Sequence, residues 1–219
     1  VLFLIFNRPE TTIRVFEKIR AAKPPKLYIS ADGPRGDRPD ELMRCEEARK
    51  IVLGVDWPCE VKTLFREKNL GCKYAVSGAI DWFFSEVEEG IILEDDDIPD
   101  PSFFPFCAEL LERYRDNPRV MHISGDNFQQ KNKFFSCHES YYFSTVMHVW
   151  GWATWRRAWK FYDVEIKDWP AIKASKILHT ILSPAAAFRW GTEFQRYYEG
   201  RIDSYDGQWV LACMAHHGL

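Results

Sequence analysis

The sequence predicts an α/β protein with a mostly parallel sheet, and two observations support that prediction. Over the first 125 residues, short runs rich in β-forming residues alternate with longer stretches whose apolar residues recur at helical spacing. One of these runs, residues 90–97, ends abruptly in four consecutive carboxylates. Strand–helix repetition of this kind builds a largely parallel sheet that is covered by helices on both faces.

The predicted elements follow one another in a regular order. The strands are the apolar runs at 1–6, 26–32, 61–65, 90–95 and 120–124. The first helix carries apolar residues at every third position from Ile13 to Ala22, after Thr11 and Thr12, which can cap a helix. Further helices are predicted at about 40–53, 72–88 and 102–115. From about residue 128 the sequence is rich in aromatic residues and has no clear linker, so we expect a single domain over 1–219.

Composition and charge exclude several classes of protein. The chain has 219 residues, of which 46% are hydrophobic, so it can form a packed core. A formal net charge of -3, without a Lys- or Arg-rich block, argues against nucleic acid as a partner. No apolar run approaches the roughly 20 residues that span a bilayer. We therefore expect no transmembrane segment and a cytoplasmic protein, with peripheral attachment to a membrane left open.

The cysteines give no sign of a zinc site, because none of the six forms a C-x-x-C pair. Cys107 and Cys213 fall in predicted helices, which favours isolated buried thiols and a reducing compartment. The missing initiator Met and the end at Leu219 predict that the chain is a piece of a longer polypeptide, truncated at its C-terminus.

The run Glu94-Asp95-Asp96-Asp97 is the strongest candidate for a functional site. Adjacent acids repel one another unless a cation or a set of hydrogen-bond donors offsets the repulsion. Hard divalent cations such as Mg²⁺ and Mn²⁺ prefer carboxylate oxygens and commonly share substrate phosphates as further ligands. Because side chains alternate along a strand, Glu94 and Asp96 are expected on one side and Asp95 on the other. The alternative is a solvated acidic turn.

Polar residues follow every predicted strand at its carboxyl end, which is the edge where open α/β sheets bind ligands. The segments are 7–9, 30–33, 66–69, 94–97 and 124–127. Their shared position predicts a ligand site at this edge. The simpler explanation, that loops are polar in general, predicts no preference for one edge.

The stretch from Gly71 to Phe106, which contains the acidic run, resembles the glycosyltransferases of the GT-A fold. In that family a helix, a strand, an acidic triplet and a Pro-x-Phe-Phe helix start follow in this order. The resemblance is strongest to the inverting N-acetylglucosaminyltransferases that start complex N-glycans, and bacterial sugar-nucleotide transferases share the arrangement. It implies a Rossmann-like sheet sandwiched by helices, with 1–100 as the nucleotide-binding half and 101–219 as an aromatic-rich half for donor sugar and acceptor.

The resemblance assigns roles within the acidic run by position. Asp96 would be the direct ligand of a Mn²⁺ or Mg²⁺ cofactor. Asp95 would contact the ribose or a metal-bound water, and Glu94 would contact the donor sugar. Asp97 stands where the relative has an apolar residue, so its role stays open.

Three residues outside the acidic run match donor-binding positions of the family. Arg8, after the first strand, and Asp32, after the second, fall where the relatives hold the nucleotide base and ribose. Lys73 stands where the relative has a histidine near the base, and this departure leaves the identity of the base undetermined.

The segment from His148 to Trp159 places four tryptophans around Gly151. Indole faces stack on sugar rings, and a glycine permits close approach of the backbone. The segment resembles the aromatic loop that closes over the donor in these enzymes, which gives Gly151 and Trp152 a donor-binding role. The alternative is that Trp152, Trp155 and Trp159 form the buried stripe of a helix.

Asp206 stands at the start of a predicted apolar helix and matches the acidic residue that deprotonates the acceptor hydroxyl in the family. Its simpler explanation is a helix cap, and Asp203 is the second candidate for the base. His217, just after the helix, could supply a metal ligand, as a late histidine does in many enzymes of this fold. His122, inside an apolar strand, is expected to be a satisfied core histidine.

Together these observations predict a metal-dependent, inverting glycosyltransferase. It would move a sugar from a nucleoside-diphosphate donor, in the first place a UDP-sugar, to a hydroxyl of a saccharide acceptor, as in bacterial polysaccharide synthesis. One alternative is a non-catalytic carbohydrate- or calcium-binding module. The other is a sugar nucleotidyltransferase, which would need a Gly-rich basic loop directly after the first strand. The P-loop, dinucleotide-binding and nucleophile-elbow motifs are missing.

Overall fold

The computed structural model describes residues 1–129 and 139–219, and its centre is a six-stranded sheet in the order β3-β2-β1-β4-β6-β5. The strands are β1 (Leu2–Ile5), β2 (Lys26–Ala31), β3 (Glu60–Phe65), β4 (Glu89–Glu94), β5 (Ile123–Ser124) and β6 (Trp152–Trp155). The pairs β1–β2, β1–β4 and β2–β3 are parallel, whereas β6 is antiparallel to β4 and β5. The predicted α/β, Rossmann-like and mostly parallel sheet is confirmed.

Helices follow the strands and cover the sheet. They are α1 (Pro9–Ala22), α2 (Pro39–Val52), α3 (Gly71–Glu86), α4 (Phe103–Arg113), α5 (Arg156–Trp159), α6 (Trp169–Ser175), α7 (Leu178–Ile181), α8 (Pro184–Tyr198) and α9 (Asp206–Ala215). The first four lie within a few residues of their predicted positions. The second half of the chain is more helical than its loop-interrupted sequence suggested.

The two faces of the sheet are buried under different helices. Phe3 and Ile5 of β1 point into a core that includes α1, α2 and α4, whereas Leu2 and Leu4 point into a core formed with α3 and α9. This alternation is what a strand buried on both faces requires. A third apolar cluster joins α8 and α9 to the short helices α6 and α7.

Helix α1 begins earlier than predicted. Its first residue is Pro9, and the hydroxyls of Thr11 and Thr12 bond back to the carbonyl of Arg8 at 3.2 and 2.8 Å rather than capping the helix. Only residues 6–8 therefore connect β1 to α1, and this short connection fixes Arg8 at the carboxyl edge of the sheet.

The tryptophan-rich segment differs from the helical alternative. Residues Trp152–Trp155 form strand β6, and only the four residues after them form a helix. Trp152, Trp155 and Trp159 are all buried, so that part of the alternative holds. The strand forms because β6 pairs with the free edge of β4, where Trp152 lies opposite Ile92.

The described residues bear on what the sequence predicted for membrane-spanning helices, for the cysteines and for His122. In that part of the chain no helix is long and apolar enough to cross a membrane. Cys107 and Cys213 are buried free thiols, as predicted, and Cys137 lies outside the described residues.

The ring of His122 is bonded on both sides, to the carbonyl of His148 at 2.9 Å and to the indole N–H of Trp209 at 3.1 Å. Burial lowers the pKa of His122 to about 3, so it is the neutral core histidine that the sequence predicted.

Candidate active site

A pocket of about 360 Å³ opens at the carboxyl ends of β1, β2 and β4. Its polar lining residues are Arg8, Ser30, Asp32, Arg35, Arg66, Asn69, Cys72, Glu94, Asp95 and Asp203. Most of them come from four of the polar segments that follow predicted strands. The exceptions are Arg35 from the segment before α2, Cys72 from the start of α3 and Asp203 from the segment before α9. The predicted meeting of polar loops at one edge of the sheet is therefore present, and the volume suits a ligand the size of a nucleotide.

Arg8 joins the two middle acids of the run. Its guanidinium forms ion pairs with Asp95 and with Asp96, the latter at 2.6 Å. Asp95 is 2% exposed and also accepts the backbone N–H of Phe6 at 3.1 Å. Burial raises the pKa of Asp95, and the charge of Arg8 opposes that shift. Asp95 thus ties the end of β4 to the end of β1.

Asp96 is the open carboxylate of the run, since 48% of its side chain is exposed. Strand β4 ends at Glu94, and Asp95 and Asp96 lie in the turn after it and both bind Arg8, so the strand alternation predicted for the run does not extend to these two acids. In the described residues Asp96 has no hydrogen bond from the backbone, so it can change partner at little cost to the fold.

Glu94 is held by the residue that precedes α9. Its Oε1 accepts the hydroxyl of Tyr205, the buried residue just before α9, at 2.9 Å. Burial is the largest cause that raises the pKa of Glu94 to about 7, and the three following acids add to it, while the Tyr205 hydroxyl opposes it. Glu94 therefore connects the pocket to the start of α9, where Asp206 stands.

Asp97, whose role the sequence left open, holds two loops together. One of its oxygens accepts the backbone N–H of Glu94 at 3.0 Å and that of Gly151 at 2.8 Å. Burial raises the pKa of Asp97 to about 6 against these two hydrogen bonds. Gly151 has a φ of 69°, a conformation that glycine adopts without strain. The acidic run and the aromatic segment are thereby fixed to each other.

Asp32 closes the opposite side of the pocket. Its carboxylate accepts the N–H groups of Gly33 and Leu70, at 2.9 and 3.0 Å, and the side-chain amide of Asn69 at 2.9 Å. Burial raises the pKa of Asp32 and these donors oppose the shift. Asp32 thus organises the loops after β2 and β3, and a ribose hydroxyl would have to share its oxygens with these donors.

Arg35 was not singled out by the sequence, whereas Arg66 opens the predicted polar segment 66–69; both line the pocket together with Arg8. Arg66 donates to the hydroxyl of Ser30 at 3.1 Å and lies near Asp32; burial lowers the pKa of its guanidinium. Arg35 is paired with the buried Glu41 and lies over the ring of Phe6. No local motif marks these arginines, because they come together only when the strands pair.

Asp206 and Asp203 have different surroundings. Asp203 accepts the N–H groups of Cys72 and Lys73 at 3.2 and 3.0 Å, one on each oxygen, so it caps helix α3. Asp206 accepts the hydroxyls of Tyr197, at 2.8 Å, and Ser204, both on Oδ1. The other oxygen of Asp206 has no hydrogen-bond partner among the residues that the structure describes, which leaves it able to accept a proton.

Lys73 faces away from the pocket lining. Its ammonium binds Glu165 at 2.9 Å, and the hydroxyl of the neighbouring Tyr74 binds the same carboxylate at 2.7 Å. These contacts tie the start of α3 to the loop before α6. The predicted contact of Lys73 with a nucleotide base would require this ion pair to open.

The aromatic segment divides into one exposed and several buried indoles. Trp150 is 58% exposed and stacks on His148, with ring centroids 5.9 Å apart. Trp152 is fully buried and packs between His122 and Trp209, so it cannot stack on a sugar as predicted. The physical reason is that β6 is buried on both faces, so Trp152 points into one core and Ala153 into the other.

His217 does not join the acidic residues. It follows α9, whose ten residues span about 15 Å, and α9 starts beside Glu94 at the carboxyl edge. Beyond it, Leu219 bonds to Arg119 and Met121, just before β5, at the opposite edge of the sheet. The metal-binding role predicted for His217 therefore has no support in this arrangement.

The acidic run offers few free ligands to a divalent cation. No group of three or more His, Cys, Asp or Glu side chains within 1–129 and 139–219 is arranged to hold a metal ion. Asp96 alone offers an exposed carboxylate. Mg²⁺ and Mn²⁺ are commonly bound by one or two carboxylates together with substrate phosphates. The residues therefore fit a cation that arrives with a nucleotide, and they do not form a site for a cation alone.

Comparison with known proteins gives a partial likeness to solved structures. No protein-family model matches the chain, and no curated protein matches it. Among solved structures it is similar to a cytidylyltransferase from Leptospira borgpetersenii serovar Hardjo-bovis (strain JB197), with 11% identity over 73% of this chain and a TM-score of 0.41. The match covers 60% of that chain, so this chain matches less than two thirds of its length. No functional argument rests on this similarity, and the fold is established by the sheet itself.

Proposed function

We propose that this protein is a glycosyltransferase that moves a sugar from a nucleoside-diphosphate donor to a hydroxyl of a saccharide acceptor. The observation that carries the proposal is the position of the acidic run: it ends β4 inside a nucleotide-sized pocket and is joined to Arg8 on one side and, through Tyr205, to the helix of Asp206 on the other. A sugar donor placed there would have Arg8 on one side and Asp206, the proposed base, on the other.

Three arginines lie in the pocket lining beside four carboxyl groups. These arginines are Arg8, Arg35 and Arg66, and they suit a diphosphate. Asp96 would hold a Mg²⁺ or Mn²⁺ that shares the phosphate oxygens, and such a cation would neutralise the leaving diphosphate. Asp32 and Asn69 offer polar groups to the ribose and base. UDP is the first nucleotide to test, since the resemblance of the acidic run is to UDP-sugar enzymes.

Asp206 is the proposed catalytic base. In the transfer, the acceptor oxygen attacks the anomeric carbon, the bond from that carbon to the diphosphate oxygen breaks, and Asp206 takes the hydroxyl proton. Asp206 is preferred to Asp203 because both oxygens of Asp203 are bonded to N–H groups of α3. Tyr197 and Ser204 orient Asp206 by holding one of its oxygens. Inversion at the anomeric carbon is the stereochemistry that the family resemblance implies.

The acceptor side is expected at the exposed aromatic rings next to the acidic run. Trp150 stacks on His148, which lies 4.6 Å from the ring of Phe128. Gly151, the neighbour of Trp150, is bonded to Asp97, so these rings are held beside the run. Exposed indole and phenyl faces bind the apolar faces of sugar rings, which favours a saccharide acceptor.

Nucleotidyl transfer is the second candidate, because the same three arginines would also suit a triphosphate. Against it stands the connection between β1 and α1, which consists of residues 6–8 only and contains no glycine. So short a loop cannot wrap around a triphosphate. A calcium-binding module is disfavoured, because Ca²⁺ takes six to eight oxygen ligands. In the described ranges no group of three or more His, Cys, Asp or Glu side chains is arranged to hold a metal ion.

One pair of assays separates the two reactions. Release of UDP from UDP-sugars with Mn²⁺ and a saccharide acceptor would report glycosyl transfer, whereas release of diphosphate from a nucleoside triphosphate with a sugar 1-phosphate would report nucleotidyl transfer. We expect the natural sequence to release UDP in the first assay, and we expect Asp206→Asn to lose that activity. Activity in the second assay alone would replace the proposal by the nucleotidyltransferase.

A further inference from the structure

A second pocket, of about 440 Å³, lies among the helices of the second half of the chain. Helices α6, α7 and α8 and the segment after α8 line it, and it shares no residue with the pocket at the sheet edge. Neither the sequence motifs nor the proposed transfer reaction uses it.

The lining of this pocket is basic, although the whole chain carries a net charge of -3. Lys173, Lys176, Arg196 and Arg201 line it together with a single acid, Glu199. Lys173 donates only to the neutral amide oxygen of Gln195, at 3.0 Å. In the described part of the chain neither Lys173 nor Lys176 lies within ion-pair distance of a carboxylate. Two ammonium groups are therefore left to bind an anion.

The floor and rim of the pocket are apolar. Trp169, Leu178 and Ala187 are buried and form the floor. Phe188 of α8 stands at the rim and is 77% exposed, the highest exposure among the large hydrophobic side chains of the described residues. A phenyl ring held in water next to lysines is typical of proteins that insert an aromatic side chain at the surface of a charged membrane.

We propose that this pocket docks on an anionic phospholipid bilayer, with a headgroup phosphate between Lys173 and Lys176 and Phe188 inserted at the level of the acyl chains. A soluble phosphate ligand would explain the lysines but would leave Phe188 in water. Anionic lipid accounts for both, since it presents phosphate and hydrocarbon within a few ångströms. This inference does not depend on the proposed transfer reaction.

Helix α8 also connects this surface to the first site. It carries Phe188 near its start and Tyr197 near its end, and Tyr197 holds Asp206 at 2.8 Å. Docking through α8 would therefore fix the position of the membrane relative to the proposed base.

The test is co-sedimentation of the protein with lipid vesicles. Vesicles of phosphatidylcholine mixed equally with phosphatidylglycerol should bind the protein, and vesicles of phosphatidylcholine alone should not. Lys176→Gln should weaken binding about fivefold, because each basic residue near an anionic surface contributes a factor of that size. Phe188→Ser should weaken it about tenfold, since the ring no longer leaves water.

Matched substitutions on α2 serve as controls, because Lys50 and Met43 are exposed there. Lys50→Gln and Met43→Ser should bind vesicles like the natural sequence, and circular dichroism should show that all variants are folded. Equal loss in the control variants, or no preference of the natural sequence for phosphatidylglycerol, would overturn the proposal. So would calorimetric binding of inorganic phosphate that Lys176→Gln removes while vesicles are ignored, because the pocket would then be a site for soluble phosphate.

Discussion

The carboxylate of Asp97 accepts a hydrogen bond from the backbone N–H of Gly151 at 2.8 Å, although 54 residues separate them in the chain. The same oxygen accepts the N–H of Glu94. Through this one side chain the loop after β4 is fixed to the segment that presents Trp150. Asp97, the last acid of the run, therefore has a structural role in the site, and Asp96 remains the exposed acid of the run.

Asp97→Ala should destabilise the protein and weaken the site. It leaves two backbone N–H groups without their acceptor, which costs about 2 kcal/mol of unfolding free energy. Asp97→Asn keeps an oxygen acceptor and should lose less than half of that unfolding free energy. Urea denaturation measures both, with the exposed Asp116→Ala as control. If Asp97→Ala is as stable as the control, Asp97 does not hold the loops together.

The raised pKa of Glu94 predicts a pH dependence of stability. A carboxyl whose pKa rises from 4.5 in the unfolded chain to about 7 in the fold binds more protons when folded, so its contribution is full below about pH 4.5 and is lost as pH rises to about 7. The glutamine of the variant Glu94→Gln does not ionise. The unfolding free energy of this variant minus that of the natural sequence should therefore rise by on the order of 1–2 kcal/mol between pH 5 and pH 8.

Denaturation at these two pH values tests this, with Glu112→Gln, at an exposed position of α4, as the control. A constant difference between Glu94→Gln and the natural sequence would show that Glu94 titrates near its ordinary pKa.

Trp150 and Trp152 should respond in opposite ways to replacement by alanine. Trp152 is fully buried, so Trp152→Ala should cost about 3–5 kcal/mol of stability. Trp150 is mostly exposed, so Trp150→Ala should cost less than about 1 kcal/mol but should raise the KM for the saccharide acceptor severalfold. Thermal denaturation and acceptor kinetics measure the two effects. An unchanged acceptor KM in Trp150→Ala would remove the acceptor role from this indole.

Asp206 and its partner Tyr197 should affect the rate and not donor binding. Asp206→Asn should lower kcat by about 100-fold or more, because a general base contributes a factor of that size. Tyr197→Phe removes one of the hydroxyls that hold Asp206 and should lower kcat by about tenfold. Tyr198→Phe, on the same helix and exposed, is the control. Full activity in Asp206→Asn would rule out Asp206 as the base.

The sequence allowed much of the first half to be predicted, because each strand and helix there has its own local pattern. The acidic run and Arg8 were found in this way, since both directly follow strands. The antiparallel strand β6 was missed, because its tryptophans also match a helical spacing and only the edge of β4 selects the strand. Trp152 was misplaced because the resemblance to an aromatic loop assigned it to the donor sugar, whereas strand β6 buries it in the core.

Residues that act through distant partners could not be predicted locally. Arg35 reaches the pocket only once the sheet has formed, whereas Arg66 was placed at this edge by the polar segment 66–69. Tyr205 was not singled out because nothing in its own neighbourhood marks a contact with Glu94, 111 residues earlier. His217 was expected near the metal from its position in the chain, but a full helix separates it from the acidic run.

Calorimetric titration of UDP into the protein, with Mn²⁺ and again with EDTA, tests the metal-dependent donor site directly. We expect UDP to bind with Mn²⁺, EDTA to abolish binding, and Asp96→Asn to abolish it while Asp116→Asn does not. Mn²⁺ alone should bind weakly, because the described residues form no preformed cation site. Binding of equal strength in EDTA or in Asp96→Asn, or no binding of UDP, GDP or CDP under any condition, would rule out a metal-dependent nucleotide site at Asp96.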